Sequence, residues 1–167
     1  EPLSIDVKHV GQKFSLAGVQ MKFSSSRKDN RFLINQELSE DIWIVKTPSA
    51  LHKGLTVNEF SCMRLAQAAG ADIPDIQLIE LAHLDGLPDM VLPNEKWAYA
   101  IKRFDRSVSG RIHMEDFAQV LVKYPHEKYN SANYEQIGRI IYEFSGDGLA
   151  DAQQFARRLL VNILLAN

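Results

Sequence analysis

Three short segments of the chain carry the residue types that could bind a phosphorylated ligand. The first runs from Ser15 to Lys22 and contains small residues whose backbone could approach phosphate groups. The second is the strand-like run from Trp43 to Pro48, in which Lys46 could neutralise those phosphates. The third, from Ile101 to Arg106, ends a strand and could hold an adenine at its edge. This order of parts predicts a nucleotide-binding lobe.

Each segment also has a simpler interpretation when it is taken alone. The first has neither of the common glycine-rich phosphate-loop patterns, and a lone Gly18 in a strand pair is more often a bulge or hairpin residue. Lys46 needs a partner only if its side chain faces inward, and the candidate partner is Glu59. The run from Thr56 to Glu59 fits a capping box equally well, so both roles for Glu59 stay open. The run after Ile101 fits an exposed strand end with ordinary charge pairs.

The pattern of apolar and turn residues predicts an α+β fold, with five or six antiparallel strands followed by helices. A polar turn over 25–30 is expected to join the first two strands, and Gly70 to end the first helix. We expect a β-rich lobe with one helix over 1–106 and the start of a helical lobe over 107–167. The predicted strands are 13–24, 31–35, 41–47, 76–82, 89–92 and 97–104, and the predicted helices begin at 56, 115, 133 and 151.

Composition excludes several classes of function. The chain has 167 residues, 46% of them hydrophobic, which is enough for a substantial core. A formal charge of -2 argues against non-specific nucleic-acid binding. The single cysteine, Cys62, cannot form an internal disulfide, so a reducing cytoplasm is the simplest location. The histidines and Cys62 have no zinc-ligand spacing, so no metal site is predicted, and no apolar run is long enough to cross a bilayer.

Taken in order, these segments resemble the HipA family of bacterial toxin kinases over nearly the whole chain. The run from Ser15 to Lys22 is similar to the family's S-x-x-G-x-Q-x-K phosphate loop. Asn58-Glu59-Phe60, followed by Gly70 and Ile73-Pro74, is similar to its N-E-[YF] helix and G-x-x-[IV]-P turn. Arg103-Phe104-Asp105-Arg106 matches its R-F-D-R hinge. The combination of these motifs gives the resemblance its specificity.

The resemblance implies a Ser/Thr protein kinase that depends on ATP and Mg²⁺, with a fold akin to the phosphoinositide and eukaryotic protein kinases. Lys46 would contact the phosphates and Glu59 would orient it. Lys102 and Phe104 would bind adenine through their backbones, and Asp105 would hold the ribose. Ser15 would be an autophosphorylated regulatory residue. The phosphate loop would contribute Ser15, Ala17, Gly18, Val19, Gln20 and Lys22.

The resemblance also implies two partner proteins, and catalytic residues that this chain does not include. The partners would be a helix-turn-helix antitoxin of the HipB type and, as substrate, an aminoacyl-tRNA synthetase, in a bacterial cytoplasm. The catalytic aspartate and the metal ligands are expected after Asn167, so no catalytic residue is assigned within this chain and the fragment alone is expected to be inactive. The alternative function is a non-catalytic module that binds a nucleotide or a protein.

Overall fold

The computed structural model describes residues 20–34, 41–107, 109–124 and 133–166. The chain divides into two compact units, which we describe separately. The first comprises the described residues within Glu1–Met63 and Pro74–Gly110, and the second those within Arg64–Ile73 and Arg111–Asn167. The predicted lobes, 1–106 and 107–167, stay a prediction. No helix in the described ranges is long and apolar enough to span a membrane.

A six-stranded sheet forms the first unit, and its strand order is β4-β6-β3-β1-β2-β5. Neighbouring strands are antiparallel except β2 and β5, which are parallel. The α+β class is therefore confirmed. The strands are β1 (Lys22–Lys28), β2 (Arg31–Ile34), β3 (Ile42–Lys46), β4 (Ile76–Glu80), β5 (Leu84–Asp85) and β6 (Trp97–Lys102).

The β1–β2 hairpin has a tighter turn than the sequence predicts. Only Asp29 and Asn30 lie between the strands, both with positive φ (48° and 64°), as a two-residue hairpin turn requires. The predicted turn over 25–30 is wrong for its first four residues, which belong to β1. Pairing between β1 and β3 places Ser25 opposite Trp43 and buries it. Strand pairing has therefore overridden the local turn preference of the serines.

The predicted strand over 89–92 is also wrong, because the structure has irregular backbone there. The sequence missed β5, which pairs with β2. Arg31 donates from Nε and Nη2 to the Asp85 carboxylate at 2.7 and 2.5 Å and fixes this short pairing. At Gly86 φ is +76°, and a Cβ would lie 2.9 Å from the Ile34 carbonyl oxygen, so glycine is required directly after β5. The sequence also missed two short strands that form a separate two-stranded sheet, β7 (Arg106–Ser107) and β8 (Gly110–Arg111).

One face of the sheet carries the apolar core. Phe32 and Trp43 meet edge to face, with 5.6 Å between ring centroids. Such pairs contribute beyond their buried area. The core residues on this face are Phe23, Phe32, Ile34, Trp43, Val45, Ile79, Leu84, Ala98 and Ala100. The alternate residues of the strands face the other way, and Lys22 and Lys46 are among them.

Helix α1 (Leu55–Ala68) confirms the predicted first helix, and Gly70, with φ of +83°, follows it. The helix does not begin with the predicted capping box. Thr56 lies inside the first turn and its Oγ1 donates to the Trp97 carbonyl at 2.9 Å. The Gly54 N–H instead donates to the Glu95 carboxylate at 3.1 and 3.2 Å. A distant carboxylate thus supplies the acceptor at this helix start.

The second unit contains three further helices, α2 (Phe117–Val120), α3 (Tyr134–Phe144) and α4 (Gly148–Leu164). Helices α2 and α3 begin with complete capping boxes. Both helices start within two residues of the predicted starts at 115 and 133. Helix α4 begins three residues before the predicted Asp151, because the Asp147 side chain accepts the Ala150 N–H at 3.2 Å. The helical character of this region is confirmed.

Arginines of α4 hold the turn that follows α1. Arg157 donates to the Gly70 carbonyl at 3.0 Å, and Arg158 donates to the Asp72 carbonyl. The Gln154 side chain accepts the Asp72 N–H at 3.1 Å. These contacts satisfy backbone groups that the end of a helix leaves without partners.

Candidate nucleotide site

Lys46 and Glu59 form an ion pair on the face of the sheet opposite the apolar core. Lys46 ends β3, and Glu59 lies in the second turn of α1. The Lys46 Nζ donates to Glu59 Oε1, and the side chains are only 22% and 28% exposed. Of the two roles that the sequence leaves open for Glu59, the structure shows the ion pair. Because both side chains are partly buried, water and salt screen the attraction between them less than in an exposed salt bridge.

A second lysine lies beside this pair. Lys22 on β1 is the direct cross-strand partner of Lys46 and is half-buried. Directly opposed residues of an antiparallel pair lie on the same face, with Cβ atoms roughly 4.5–5.5 Å apart. In the part of the chain that the structure describes, Lys22 has no carboxylate partner. Among the described residues, two neighbouring ammonium groups thus have one carboxylate between them, and it binds Lys46. The excess positive charge favours an anion.

The segment that enters β1 is fixed to the end of β3. The Gln20 side chain donates from Nε2 to the Thr47 carbonyl at 3.1 Å. The Thr47 N–H donates to the Met21 carbonyl at 3.2 Å, and Thr47 is fully buried. Gln20, predicted to belong to a phosphate loop, therefore helps to place the start of β1, where Lys22 lies.

Tyr99 lies next to the ion pair. It is the cross-strand partner of Lys46 on β6, and the Lys46 Nζ lies 5.7 Å from its ring centroid. Tyr99 is 1% exposed. Burial raises the pKa of its phenol well above the ordinary value, and the negative charge of Glu59 raises it further. The side chain therefore presents a neutral aromatic face to the ammonium.

The strand end after β6 forms a second charged cluster. Arg103 donates to both oxygens of Asp105 at 2.8 and 2.5 Å, and Arg106 donates to Oδ2 at 2.5 Å. Asp105 is buried, and hydrogen bonding by Arg103 lowers the pKa of its carboxyl group. This is not the exposed strand end of the simpler interpretation. The predicted ribose contact of Asp105 stays a prediction, with most of its acceptor capacity taken by the two arginines.

Lys102 and Phe104, predicted to contact adenine through their backbones, flank this cluster. The Lys102 Nζ lies 3.3 Å from Asp41 Oδ1, which also accepts the Trp43 indole N–H at 2.9 Å. The Phe104 ring is 67% exposed. Both backbone roles stay predictions, while the side chain of Lys102 is engaged in fixing the sheet.

Sequence reasoning brought Lys46 and Glu59 together and missed Tyr99. Tyr99 contacts the site because it is aligned with Lys46, and this alignment depends on the register between β3 and β6. The sequence shows the aromatic residues of the predicted strand over 97–104, but it does not show how that strand is aligned with β3. The predicted site residues Ser15, Ala17, Gly18 and Val19 lie outside the described residues.

The described side chains offer no evident metal centre. Within the described ranges, no group of three or more His, Cys, Asp or Glu residues could hold a metal ion. The acidic residues near the site, Glu59 and Asp105, each bind a basic side chain. The described part of the site therefore has an excess of positive charge, which suits anionic groups.

The chain is similar to several named proteins. The chain is 43% identical to "Putative kinase Y4dM" of Sinorhizobium fredii over 159 residues, which cover 93% of this chain and 38% of that relative. It is 28% identical to "Putative kinase Y4mE" of the same organism over 165 residues, 94% of this chain and 36% of that protein. A "Putative kinase" of Haemophilus influenzae is 28% identical over 166 residues, 93% of this chain and 45% of that protein.

The chain therefore spans less than half the length of these relatives. The family model described as the HipA-like C-terminal domain matches residues 14–167. That range includes β1, β3, α1 and β6, the elements that carry Lys22, Lys46, Glu59 and Tyr99. The chain belongs to the HipA-like family, as its sequence motifs predicted.

Proposed function

We propose that this chain is the nucleotide-binding region of an ATP-dependent protein kinase of the HipA type. The observation that carries the proposal is the placement of Lys22 and Lys46 on one face of the sheet, with Glu59 holding only one of them. Opposed like charges are unfavourable in a strand pair unless something offsets them. The phosphates of a nucleotide would do so, and the relatives named as kinases agree with this use.

Each residue then has a separate task in the site. Glu59 fixes the direction of the Lys46 ammonium, so that its remaining N–H groups can donate to phosphate oxygens. Lys22 contributes the second positive charge. The backbone of Lys102 and Phe104 would hold the adenine, and Asp105 would accept from a ribose hydroxyl. ATP, when bound, would supply the phosphoryl group that is transferred.

Mg²⁺ belongs to the proposal for the whole protein, but we assign it no ligand among the described residues. The catalytic aspartate and the metal-binding residues are implied by the family resemblance, and we assign them to no described residue. A kinase-like fold, Ser/Thr specificity and autophosphorylation at Ser15 are parts of the same proposal. A phosphate on Ser15 adds nearly two negative charges and would repel a bound nucleotide.

The biological setting is proposed by the same analogy. The whole protein would act as the toxin of a bacterial toxin-antitoxin pair in the cytoplasm. Its partner would be a helix-turn-helix antitoxin of the HipB type, and its substrate an aminoacyl-tRNA synthetase. These assignments rest on the resemblance of the sequence motifs to the HipA family.

Nucleotide binding is tested by calorimetry of the purified full chain with ATP and with ADP. We expect Lys46→Met to weaken ATP binding about ten-fold or more, because it removes charge-assisted hydrogen bonds. Lys28→Met is the matched control. Lys28 lies on the same strand, about 20 Å from Lys22 at the strand rise, and is exposed. Absence of nucleotide binding, or an equal loss in both variants, would contradict the proposal.

Kinase activity is tested separately from binding. The full-length protein is incubated with ATP labelled at the γ-phosphate and with Mg²⁺, and phosphoserine and phosphothreonine are sought in the protein itself and in added proteins. Transfer that is lost in Lys46→Met supports the kinase. Nucleotide binding without transfer supports the alternative, a non-catalytic nucleotide-binding module.

A further inference from the structure

Tyr99 is the residue of the site that neither the sequence motifs nor the proposed chemistry uses. Its side chain is 1% exposed, and its hydroxyl has no hydrogen-bond partner among the described residues. Burying a polar group without a hydrogen-bond partner is unfavourable. A phenylalanine would avoid that cost, so the hydroxyl does not explain what the ring does.

The position of the ring explains more. The Lys46 Nζ lies 5.7 Å from the Tyr99 ring centroid, within the range of a cation–π interaction. Lys46 and Tyr99 are directly paired across β3 and β6, so the backbone places their side chains next to each other on one face of the sheet. Burial strengthens the attraction because little water competes for the ammonium.

The ammonium of Lys46 is therefore held from two directions. Glu59 on α1 accepts its hydrogen bond, and the Tyr99 ring supports it from the sheet. An ammonium on a flexible four-carbon chain loses side-chain entropy when it is fixed in one place. A site that has already fixed it loses less entropy when an anion binds.

We propose that Tyr99 is a positioning residue for Lys46, and that its ring keeps the ammonium directed at the phosphates of the ligand. The effect on affinity rests on the proposed nucleotide site, whereas the effect on Lys46 itself does not. The ring carries the function and the hydroxyl does not. Tyr99→Phe and Tyr99→Leu separate these two parts of the side chain.

The first test is nucleotide affinity by calorimetry on the full chain. Tyr99→Phe keeps the ring, and we expect its ATP affinity to match the wild type. Tyr99→Leu removes the ring, and we expect ATP binding to weaken about three- to thirty-fold, the range of a cation–π interaction. Tyr99→Met, which adapts its shape to a gap, gives the same result if the leucine variant does not fold. Unchanged affinity in a folded leucine or methionine variant would overturn the proposal.

A double-mutant cycle with Lys46→Met separates positioning from general damage to the sheet. If Tyr99 acts through Lys46, then Tyr99→Leu has no further effect on ATP affinity once Lys46 is methionine. A loss of the same size in both backgrounds would show that Tyr99 supports the fold only. It would overturn the positioning role.

A measurement without nucleotide distinguishes failure of this proposal from failure of the nucleotide site. In NMR relaxation of the free protein, the order parameter of the Lys46 side-chain end reports how strongly the ammonium is fixed, and Lys46→Met identifies its signal. We expect a high order parameter in the wild type and in Tyr99→Phe, and a lower one in Tyr99→Leu. This result with no ATP binding would refute the nucleotide site and keep the positioning role. An order parameter for Lys46 that is the same in the wild type and in Tyr99→Leu would refute the positioning role.

Discussion

The sheet unit contains two charged clusters with the same composition, two basic side chains and one carboxylate. In one cluster, Arg103 and Arg106 both donate to Asp105. In the other, Lys46 donates to Glu59, while Lys22 lies opposite Lys46 without a carboxylate of its own among the described residues. The two clusters therefore share a charge count and differ in how the hydrogen bonds are distributed.

That difference separates a structural cluster from one suited to a ligand. The side chains of Arg103, Asp105 and Arg106 are 10–15% exposed, and the carboxylate accepts three hydrogen bonds. The lysine cluster keeps unused donors and excess positive charge. Arginine presents a planar fork that saturates a carboxylate, whereas lysine is a point charge with rotatable donors. Net charge alone would not have distinguished the two.

The largest effect should follow from removing the carboxylate of the saturated cluster. Asp105→Asn leaves two poorly solvated arginines without a negative partner, and we expect about 3 kcal/mol of lost stability. For a chain of this size that corresponds to a fall in Tm of roughly 6–12 °C. Thermal and urea unfolding measure it.

Asp85→Asn is the matched control for this variant. Asp85 also accepts two hydrogen bonds from one arginine, but that pair is 42–50% exposed. We expect a much smaller change in stability, because water replaces the lost contacts. An equal loss in both variants would show that burial does not distinguish the clusters.

Acid should remove part of the same stabilisation. Hydrogen bonding by Arg103 lowers the pKa of folded Asp105 below its ordinary value of 3.8. Its contribution is therefore complete above that value and is lost as pH falls through the lower folded pKa. The stability difference between the wild type and Asp105→Asn should stay constant from pH 7 to about pH 5 and narrow below about pH 4. Urea unfolding across this range tests it, and a constant difference would contradict the assignment.

Arg106→Met should have a smaller effect than Asp105→Asn. It removes the hydrogen bonds from Arg106 to the Asp105 carboxylate and carbonyl at 2.5 and 2.8 Å, while Arg103 still neutralises the carboxylate. We expect about 2 kcal/mol of lost unfolding free energy, in the range for hydrogen bonds to charged groups. Arg111→Met, at an exposed position, is the control. If Arg106→Met lowers the unfolding free energy as much as Asp105→Asn does, then Arg103 alone does not keep the Asp105 carboxylate stable.

The sequence predicted elements better than it predicted registers. Gly70 located the end of α1, and a stripe of apolar residues located α3, because both signals lie within one helix or directly after it. The serines of β1 were assigned to a turn because their pairing with β3 is a tertiary contact. The prediction of a strand at 89–92 was wrong for a related reason. A strand needs a neighbouring strand to pair with, and the apolar residues of the segment do not reveal whether one is present.

The candidate site shows the same limit. Lys46 and Glu59 could be paired from their positions in a strand and the next helix, but the choice between ion pair and cap depended on where α1 begins. Asp105 was read as an available acceptor, and the structure shows two arginines on it. Local sequence gives residue types, whereas competition for each hydrogen bond is decided by the fold.

The smallest effect on stability should come from Lys22→Met, and its sign should be the reverse of Arg106→Met. Removing Lys22 relieves the repulsion from Lys46, so we expect the unliganded protein to gain about 0.2–0.5 kcal/mol. Lys53→Met, at an exposed loop position, should change little. High salt should abolish part of the gain, since it screens the repulsion between the two charges.

The same variant should bind ATP about three- to ten-fold more weakly, because one phosphate contact is lost. A cation whose removal stabilises the free protein and weakens the complex is placed for the ligand. If Lys22→Met lowers both the stability of the free protein and the affinity for ATP, then Lys22 stabilises the fold. The proposed difference between the two clusters would then be wrong.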